Sequence, residues 1–398
     1  MHTLFTVLNI TFLILPFNVL MAQVNYQHLH QDALVVDTHC DVLLQVLRGA
    51  DISKRLDFGH VDLIRLNEGG IDVQFFAVWP DPQIYKPNRM YAHTIYMIEL
   101  LENIIDKNSQ KISLTRTPDE IIEAVQSGKL AACIGVEGGT AIENDLSKLQ
   151  NLYDRGVRYL GLTWNDSHDW ASSAHDETSS KYHGQKGLTD FGKAVIVKMN
   201  ELRMMIDVSH CGEQTFWDVI KLSSQPIIAS HSCTYALRRH YRNLKDDQIK
   251  AIADKGGVIF INFYPGYLDY EFGVKYEQIK NSSSAYLNSV RKEYGSDLSG
   301  YRKFRTEYYR QQTESFRPGI ERILDHMDHI IKIVGDDHIG LGSDFDGISI
   351  TPKGLNDVSE MAEITKCMMN RGYSEIRIRK ILGENFMRVF KDISYGSN

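Results

Sequence analysis

Short apolar runs recur along this chain, and several end in a side chain able to hold a metal ion. ALVVDTHCD closes on His39 and Asp41, LAACIGVEGG on Glu137, MMIDVSH on His210, PIIASH on His231 and IGLGSDFDG on Asp344. Continuous Val, Ile and Leu runs, rather than alternating ones, are the pattern of strands buried on both faces, which is the parallel-sheet case. When such a sheet closes into a barrel, every strand ends on the same rim. Residues three hundred positions apart in sequence then share one cavity.

Eight runs have strand character: 33–39, 71–79, 130–136, 157–163, 204–209, 226–230, 257–263 and 338–343. Helical patterns lie between most of them. TPDEIIEAVQSG (117–128) opens with a Thr cap and a first-turn Pro and closes on Gly, and GLTDFGKAVIVKMNELR (187–203) spaces its apolar residues by three and four. The alternation predicts a (β/α)8 TIM-type barrel. Segments 80–116 and 264–320 exceed simple connections. The second, rich in Tyr, Arg, Lys and Glu, is expected as a long helical insertion after the seventh strand, serving as lid, substrate-side wall or subunit contact.

With 43% apolar and 24% charged residues among 398, the composition is that of a soluble globular protein. A single barrel domain over 23–398 accommodates this length, since such barrels run past about 250 residues. The formal net charge is -7 and the Lys and Arg residues are scattered, so no nucleic-acid footprint is visible. Residues 1–22 lack Asp, Glu, Lys and Arg, contain ITFLILPF and end on Ala22, which reads as a cleaved signal peptide. Asn9, Thr11, Pro16 and Asn18 interrupt the stretch and disfavour a membrane anchor. The expectation is an exported protein, periplasmic or extracellular, with no stable membrane insertion after processing. Five cysteines without a CxxC pair are expected as small buried apolar residues.

In a strand, residues i and i+2 point to one face, so His39 and Asp41 can bind one cation together. Alone, such a pair is more often structural. Glu137 lies between residues that allow a sharp turn, Gly138 and Gly139 following it, and its carboxylate can bridge two ions; a lone Glu there more often caps the next helix. His210 and His231 end successive strands, and neutral imidazole is a favoured zinc ligand. Five ligands, His39, Asp41, Glu137, His210 and His231, suffice for two divalent ions if Glu137 is shared. Such a pair acidifies water and polarises a scissile carbonyl. Asp344 has the position for a carboxylate that relays a proton to a leaving amine. Asp346 reads as a turn residue.

Taken together and in this order, DTHCD, GVEGG, GVRYLGLTW, IDVSH, PIIASHS, RNL, HMDHI and GLGSDFDG resemble the membrane dipeptidase (renal dipeptidase) family of metallopeptidases, related to the amidohydrolases. The resemblance spans nearly the whole chain after residue 22. It implies a two-zinc site held by His39, Asp41, Glu137, His210 and His231, with Glu137 as bridge and Glu137 and Asp344 catalytic. It also implies a carboxylate-binding role for Arg242, otherwise read as a surface arginine, and a possible homodimer. Where familiar members carry LTH, this chain has LTW, so Trp164 stands where a substrate-contacting histidine is expected. An indole N–H donates but cannot become charged. His168 is read as a solvated loop histidine, with substitution for the missing imidazole as the alternative. Trp79, Tyr264 and Tyr267 are expected around the cavity mouth.

The leading expectation is hydrolysis of dipeptides bearing a free C-terminal carboxylate. Two alternatives stand beside it: a related amidohydrolase acting on a lactam or N-acyl amino acid, and a non-catalytic metal- or partner-binding barrel.

Overall fold

A computed structural model describes residues 26–396 except Gln83; the expected signal peptide, 1–22, lies outside the described residues. Nine strands form one sheet: β1 (Val36–Cys40), β2 (Val73–Val78), β3 (Ile112–Leu114), β4 (Leu130–Glu137), β5 (Val157–Gly161), β6 (Met205–Asp207), β7 (Ile227–Ala229), β8 (Val258–Ile261) and β9 (Ile339–Leu341). All pairings are parallel, and the path runs β1-β2-β4-β5-β6-β7-β8-β9. These eight strands form the nearly closed barrel that the sequence predicts.

The seam lies between β9 and β1. There Thr38 Oγ1 donates to Leu341 O at 3.1 Å, the Asp344 N–H to His39 O at 3.0 Å, and the Asp41 N–H to Phe345 O at 2.7 Å.

The ninth strand is a correction to the count of eight. β3 lies inside the 80–116 segment, after the helix Met90–Lys107, and pairs with the first residues of β4 outside the ring. Only Ile112 of its three residues is buried, so it is too short to register a period of its own.

The helices expected at 117–128 and 187–203 occupy Pro118–Gln126 and Asp190–Leu202. Thr117 and Thr189 cap them, accepting from Glu120 N and Gly192 N. The segment after β8 folds into the helices Tyr270–Glu293 and Leu298–Thr313 before Glu321–Val334 returns to the barrel.

The two ends of the barrel differ. At the start of the strands, Val36, Val73, Met205 and Val258 pack with Phe386, Val389 and Phe390 of the C-terminal helix Asn385–Tyr395. Phe386 sits 5.4 Å from Phe75 and 6.3 Å from Phe260, ring centre to ring centre. Burying each such phenylalanine contributes on the order of 1.5–3 kcal/mol. This plug closes one end, leaving the strand tips at the other to carry chemistry. All five cysteines are unpaired and all but Cys367 are buried, as expected of apolar fillers.

Candidate metal centre and substrate cavity

The strand tips bring His39, Asp41, Glu137, His210 and His231 together. Glu137 is the hub. Its Oε1 lies 2.9 Å from His210 Nε2 and 3.6 Å from His231 Nε2, while Oε2 lies 3.6 Å from His39 Nε2. His39 Nε2 is in turn 3.4 Å from Asp41 Oδ2. One carboxylate therefore divides the set into two groups, His39 with Asp41 and His210 with His231. Gly138, at φ +100°, makes the sharp turn beyond Glu137 that its Cβ-free backbone permits.

Each histidine is oriented from behind. Tyr159 OH donates to Thr38 O at 3.2 Å, so it accepts from His39 Nδ1 at 2.8 Å and leaves Nε2 facing the cavity. Tyr159 has room because residue 135 is glycine; a Cβ there would lie 1.9 Å from the Tyr159 ring. Likewise Ser230 Oγ donates to Asp207 Oδ2 at 2.6 Å and accepts from His231 Nδ1 at 2.8 Å. Asn165 Oδ1 takes His210 Nδ1 at 3.2 Å. These tautomers follow from the hydrogen-bond network.

The donor set fits divalent cations. His39 Nε2 is buried without a hydrogen-bond partner, and His210 Nε2 faces His231 Nε2 at only 3.0 Å, a meeting of two lone pairs unless a cation or proton separates them. Ligand atoms of His39, Glu137 and His231 lie within 4.8 Å of one another, as do those of His39, Asp41 and Asp344.

Electrostatics agree. Burial, then the charge of Arg242, pushes the His210 imidazole down to about 4, and burial with His39 and Arg242 holds His231 well below its ordinary value. Both stay neutral, the form that binds metal. Burial opposes ionisation of Glu137, yet His39 and His210 hold it well below the usual carboxylate range. Around His39, Tyr159, Asp41 and Glu137 overcome the opposing effect of burial and raise its proton affinity, which marks Nε2 as a place where positive charge is wanted.

Asp344 borders this centre. Asn262 Nδ2 donates to its Oδ2 at 2.8 Å, and burial followed by the Asp41 charge raises its pKa well above the ordinary value. Asp344 and His210 both adopt left-handed backbone, φ +61° and +68°. Non-glycine residues there cost roughly 1–3 kcal/mol, a strain that recurs at functional sites.

A cavity of about 440 Å³ opens above, lined by Asp41, Glu137, His210 and Asp344 and walled by Trp79, Trp164, Tyr264 and Tyr267. The expected positions of Trp79, Tyr264 and Tyr267 hold. The insertion helices add Tyr276, Lys280, Arg305 and Tyr309, so of its three expected roles the insertion serves as a wall. Trp164 packs on Trp79 at 4.7 Å between ring centres. Beyond this pair a second cavity of about 320 Å³, lined by Pro80, Met90 and His168, also reaches Glu137.

Two readings need adjustment. His168 is half-buried rather than a freely solvated loop residue: its Nε2 donates to Leu162 O at 2.8 Å, its ring packs 4.5 Å from Trp170, and its Nδ1 is buried without a partner. Arg242 is not a surface arginine. It is buried beside the histidines, Nη2 donating to His231 O at 3.3 Å and the guanidinium 5.6 Å from the Tyr267 ring, but it is not among the residues lining the cavity.

Sequence reasoning missed Asp37, Tyr159, Asp207, Asn262, Lys280 and Arg305. A signal existed for the two aspartates, which interrupt otherwise apolar strands two and three residues before a proposed ligand.

A parallel barrel whose strand tips converge a histidine–aspartate pair and a pair of histidines on a shared glutamate defines a metal-dependent hydrolase of the amidohydrolase-like type. Residues 23–398 match the model of the membrane dipeptidase family, peptidase family M19, and the chain belongs to that family of metallo-dipeptidases. It is 32% identical to an uncharacterized dipeptidase of Schizosaccharomyces pombe, over 93% of this chain and 83% of that one. A solved structure of a dipeptidase AC, a metallo peptidase of family M19, superposes with a TM-score of 0.74 at 27% identity, covering 92% of this chain and 99% of the other. A metallo peptidase from Rhodobacter sphaeroides, liganded with a phosphinate mimic of the dipeptide L-Ala-D-Ala, gives 0.72 at 27% identity, covering 90% and 99%.

Proposed function

We propose that this chain is an exported two-zinc dipeptidase that hydrolyses dipeptides with a free C-terminal carboxylate. The observation that carries the reading is the placement of Glu137, with one oxygen toward His210 and His231 and the other toward His39. Two zinc ions would be held by His39, Asp41 and Glu137 and by Glu137, His210 and His231. Bound there, they supply Lewis-acid polarisation of the scissile carbonyl and an acidified water.

The chain's own residues do the rest. Asp344, pinned at Oδ2 by Asn262, leaves Oδ1 to receive a proton and return it to the departing amine. Tyr159 and Ser230 keep the Nδ1 protons of His39 and His231 turned away from the cavity. Trp79, Trp164, Tyr264 and Tyr267 exclude bulk water from the reacting bond. Arg242 carries a buried Nε without a partner, a donor in reserve for a substrate carboxylate close to the histidines. In support of export, the family match begins at residue 23, directly after the proposed cleavage point at Ala22. The reading then gives one barrel domain over 23–398.

The test is a dipeptide panel set against C-terminally amidated copies, run with metal analysis of the same preparation. The expected result is near two zinc ions per chain and loss of turnover on amidation; indifference to the amide cap overturns the carboxylate role. A second reading, a lactam or N-acyl amino acid as substrate, draws on the Trp79–Trp164 stack, which puts apolar surface where the family carries an imidazole. Faster hydrolysis of such compounds than of any dipeptide favours it.

A further inference from the structure

The cavity mouth carries more positive charge than the chain itself neutralises. Arg305, on the helix Leu298–Thr313, and Lys280, on Tyr270–Glu293, line the same cavity as Asp41 and Asp344. Arg302 lies one turn before Arg305, and Arg48 follows β1 from the barrel side. Among the described residues, neither Arg48, Arg302 nor Arg305 has a carboxylate within 4.0 Å, while Lys280 has Glu277 at 2.5 Å.

On the same helices Lys275 pairs with Glu271, Lys303 with Asp57 and Arg310 with Glu307, while Arg291 lies over the Tyr301 ring. The cluster is also tight enough to feel itself, since burial and then Arg302 depress the Arg48 guanidinium, and burial and then Arg305 depress Arg302. Like charges held together without counter-ions are unfavourable unless a ligand supplies the missing charge, and a guanidinium fork matches a carboxylate.

We propose that Lys280 and Arg305, backed by Arg48 and Arg302, form a second anion-binding site at the cavity mouth, and that the preferred substrates are dipeptides carrying a further carboxylate on a side chain. This rests on the dipeptidase reading. It adds to that reading an acidic substrate class, selected by the insertion rather than by the barrel. The site is separate from Arg242, which lies deeper and off the cavity wall.

The experiment compares kcat/KM for Ala-Glu against Ala-Gln and for Glu-Ala against Gln-Ala on the zinc-loaded protein, so that its two arms report which residue carries the charge. At least one acidic partner is expected to be favoured about tenfold, mainly through KM, with the advantage shrinking between about 0.05 and about 0.5 M salt. In the double variant Lys280→Gln, Arg305→Gln the ratio falls to within about twofold of one, whereas Lys303→Gln, on the same helix but paired with Asp57, keeps it. No acidic preference in the unaltered protein, or a preference surviving the double substitution, overturns the proposal while neutral dipeptide hydrolysis leaves the dipeptidase reading standing. If no dipeptide is hydrolysed, that reading fails. Calorimetric binding of the same four peptides to the zinc-loaded protein still decides the anion site: a tighter acidic partner supports it, and equal affinities refute it.

Discussion

Asp207 and Ser230 form a 2.6 Å hydrogen bond across adjacent strand ends, and it fixes which nitrogen of His231 faces the cavity. The same carboxylate accepts from the Ser230 and Ser209 N–H groups at 2.8 and 3.0 Å, so one buried aspartate holds the backbone before both His210 and His231. Across the barrel, Asp37 repeats the device on Ser343, accepting from its N–H at 2.8 Å and its hydroxyl at 2.7 Å directly before Asp344.

Asp207→Ala should therefore behave as a ligand defect without touching a ligand. Zinc affinity is expected to fall about 10–100-fold, the range for lost supporting bonds, with activity restored in part by excess zinc. Competition with a fluorescent chelator measures it, and unaltered affinity removes the supporting role.

Asp344→Asn keeps a residue tolerant of φ +61° and an acceptor for Asn262, so metal content and melting temperature should hold while kcat falls at least 100-fold. Single-turnover kinetics with parallel metal analysis checks both halves. Asp344→Gly should melt above Asp344→Ala by a difference of about 1 kcal/mol, since only glycine relieves the left-handed strain.

Chelation should lower the melting temperature by several degrees and abolish hydrolysis, with zinc restoring both, because ions bound only by the folded state at a thousand times their Kd stabilise it by about 4 kcal/mol each. His210→Ala should reduce the zinc-to-protein ratio measured by plasma emission. Full occupancy in that variant counts against the ligand set.

Trp164→His removes the indole from the Trp79 face. The expected outcome is a changed ranking of dipeptides by the size of the N-terminal residue, since the pair partitions two cavities that both reach Glu137. An unchanged ranking and rate make Trp164 a packing residue.

Asp72 offers a pH test remote from the metal centre. Its Oδ2 accepts from the Val35 N–H at 2.8 Å, and burial raises it to about 6 from an ordinary 3.8. The folded state therefore binds its proton more tightly than the unfolded chain. The stability this contributes is complete below about pH 4 and lost as pH rises toward 6. Asp72→Asn should gain stability relative to the unaltered protein as pH climbs from 4 to 7, followed by urea titration at each pH; a pH-independent difference refutes the assignment.

The barrel and the side chains gathered at its rim were legible because strand tips leave a repeated signature, an apolar run followed at once by His, Asp or Glu. β3 was not, because three residues with one buried side chain carry no period. Nor was the partial burial of His168, which depends on Trp170 and the Leu162 carbonyl folding back onto it. Arg242 looked exposed because its neighbours, His240 and Tyr241, are polar, and only the His231 carbonyl and the Tyr267 ring bury it. Side chains that reach the cavity from the insertion, Lys280 and Arg305, stand on amphiphilic helices whose cations all look alike in sequence. Which of them lack a counter-ion is set by tertiary placement.

The seam at which Asp344 N–H meets His39 O joins segments some three hundred residues apart. A nascent chain not yet extended through β9 lacks Asp344 and the Phe386–Phe390 plug together, and so leaves His39 at an open edge of the barrel. Assembly of the rim is thereby deferred until the final strand has been made, and a truncation that removes β9 takes Asp344 and the seam with it.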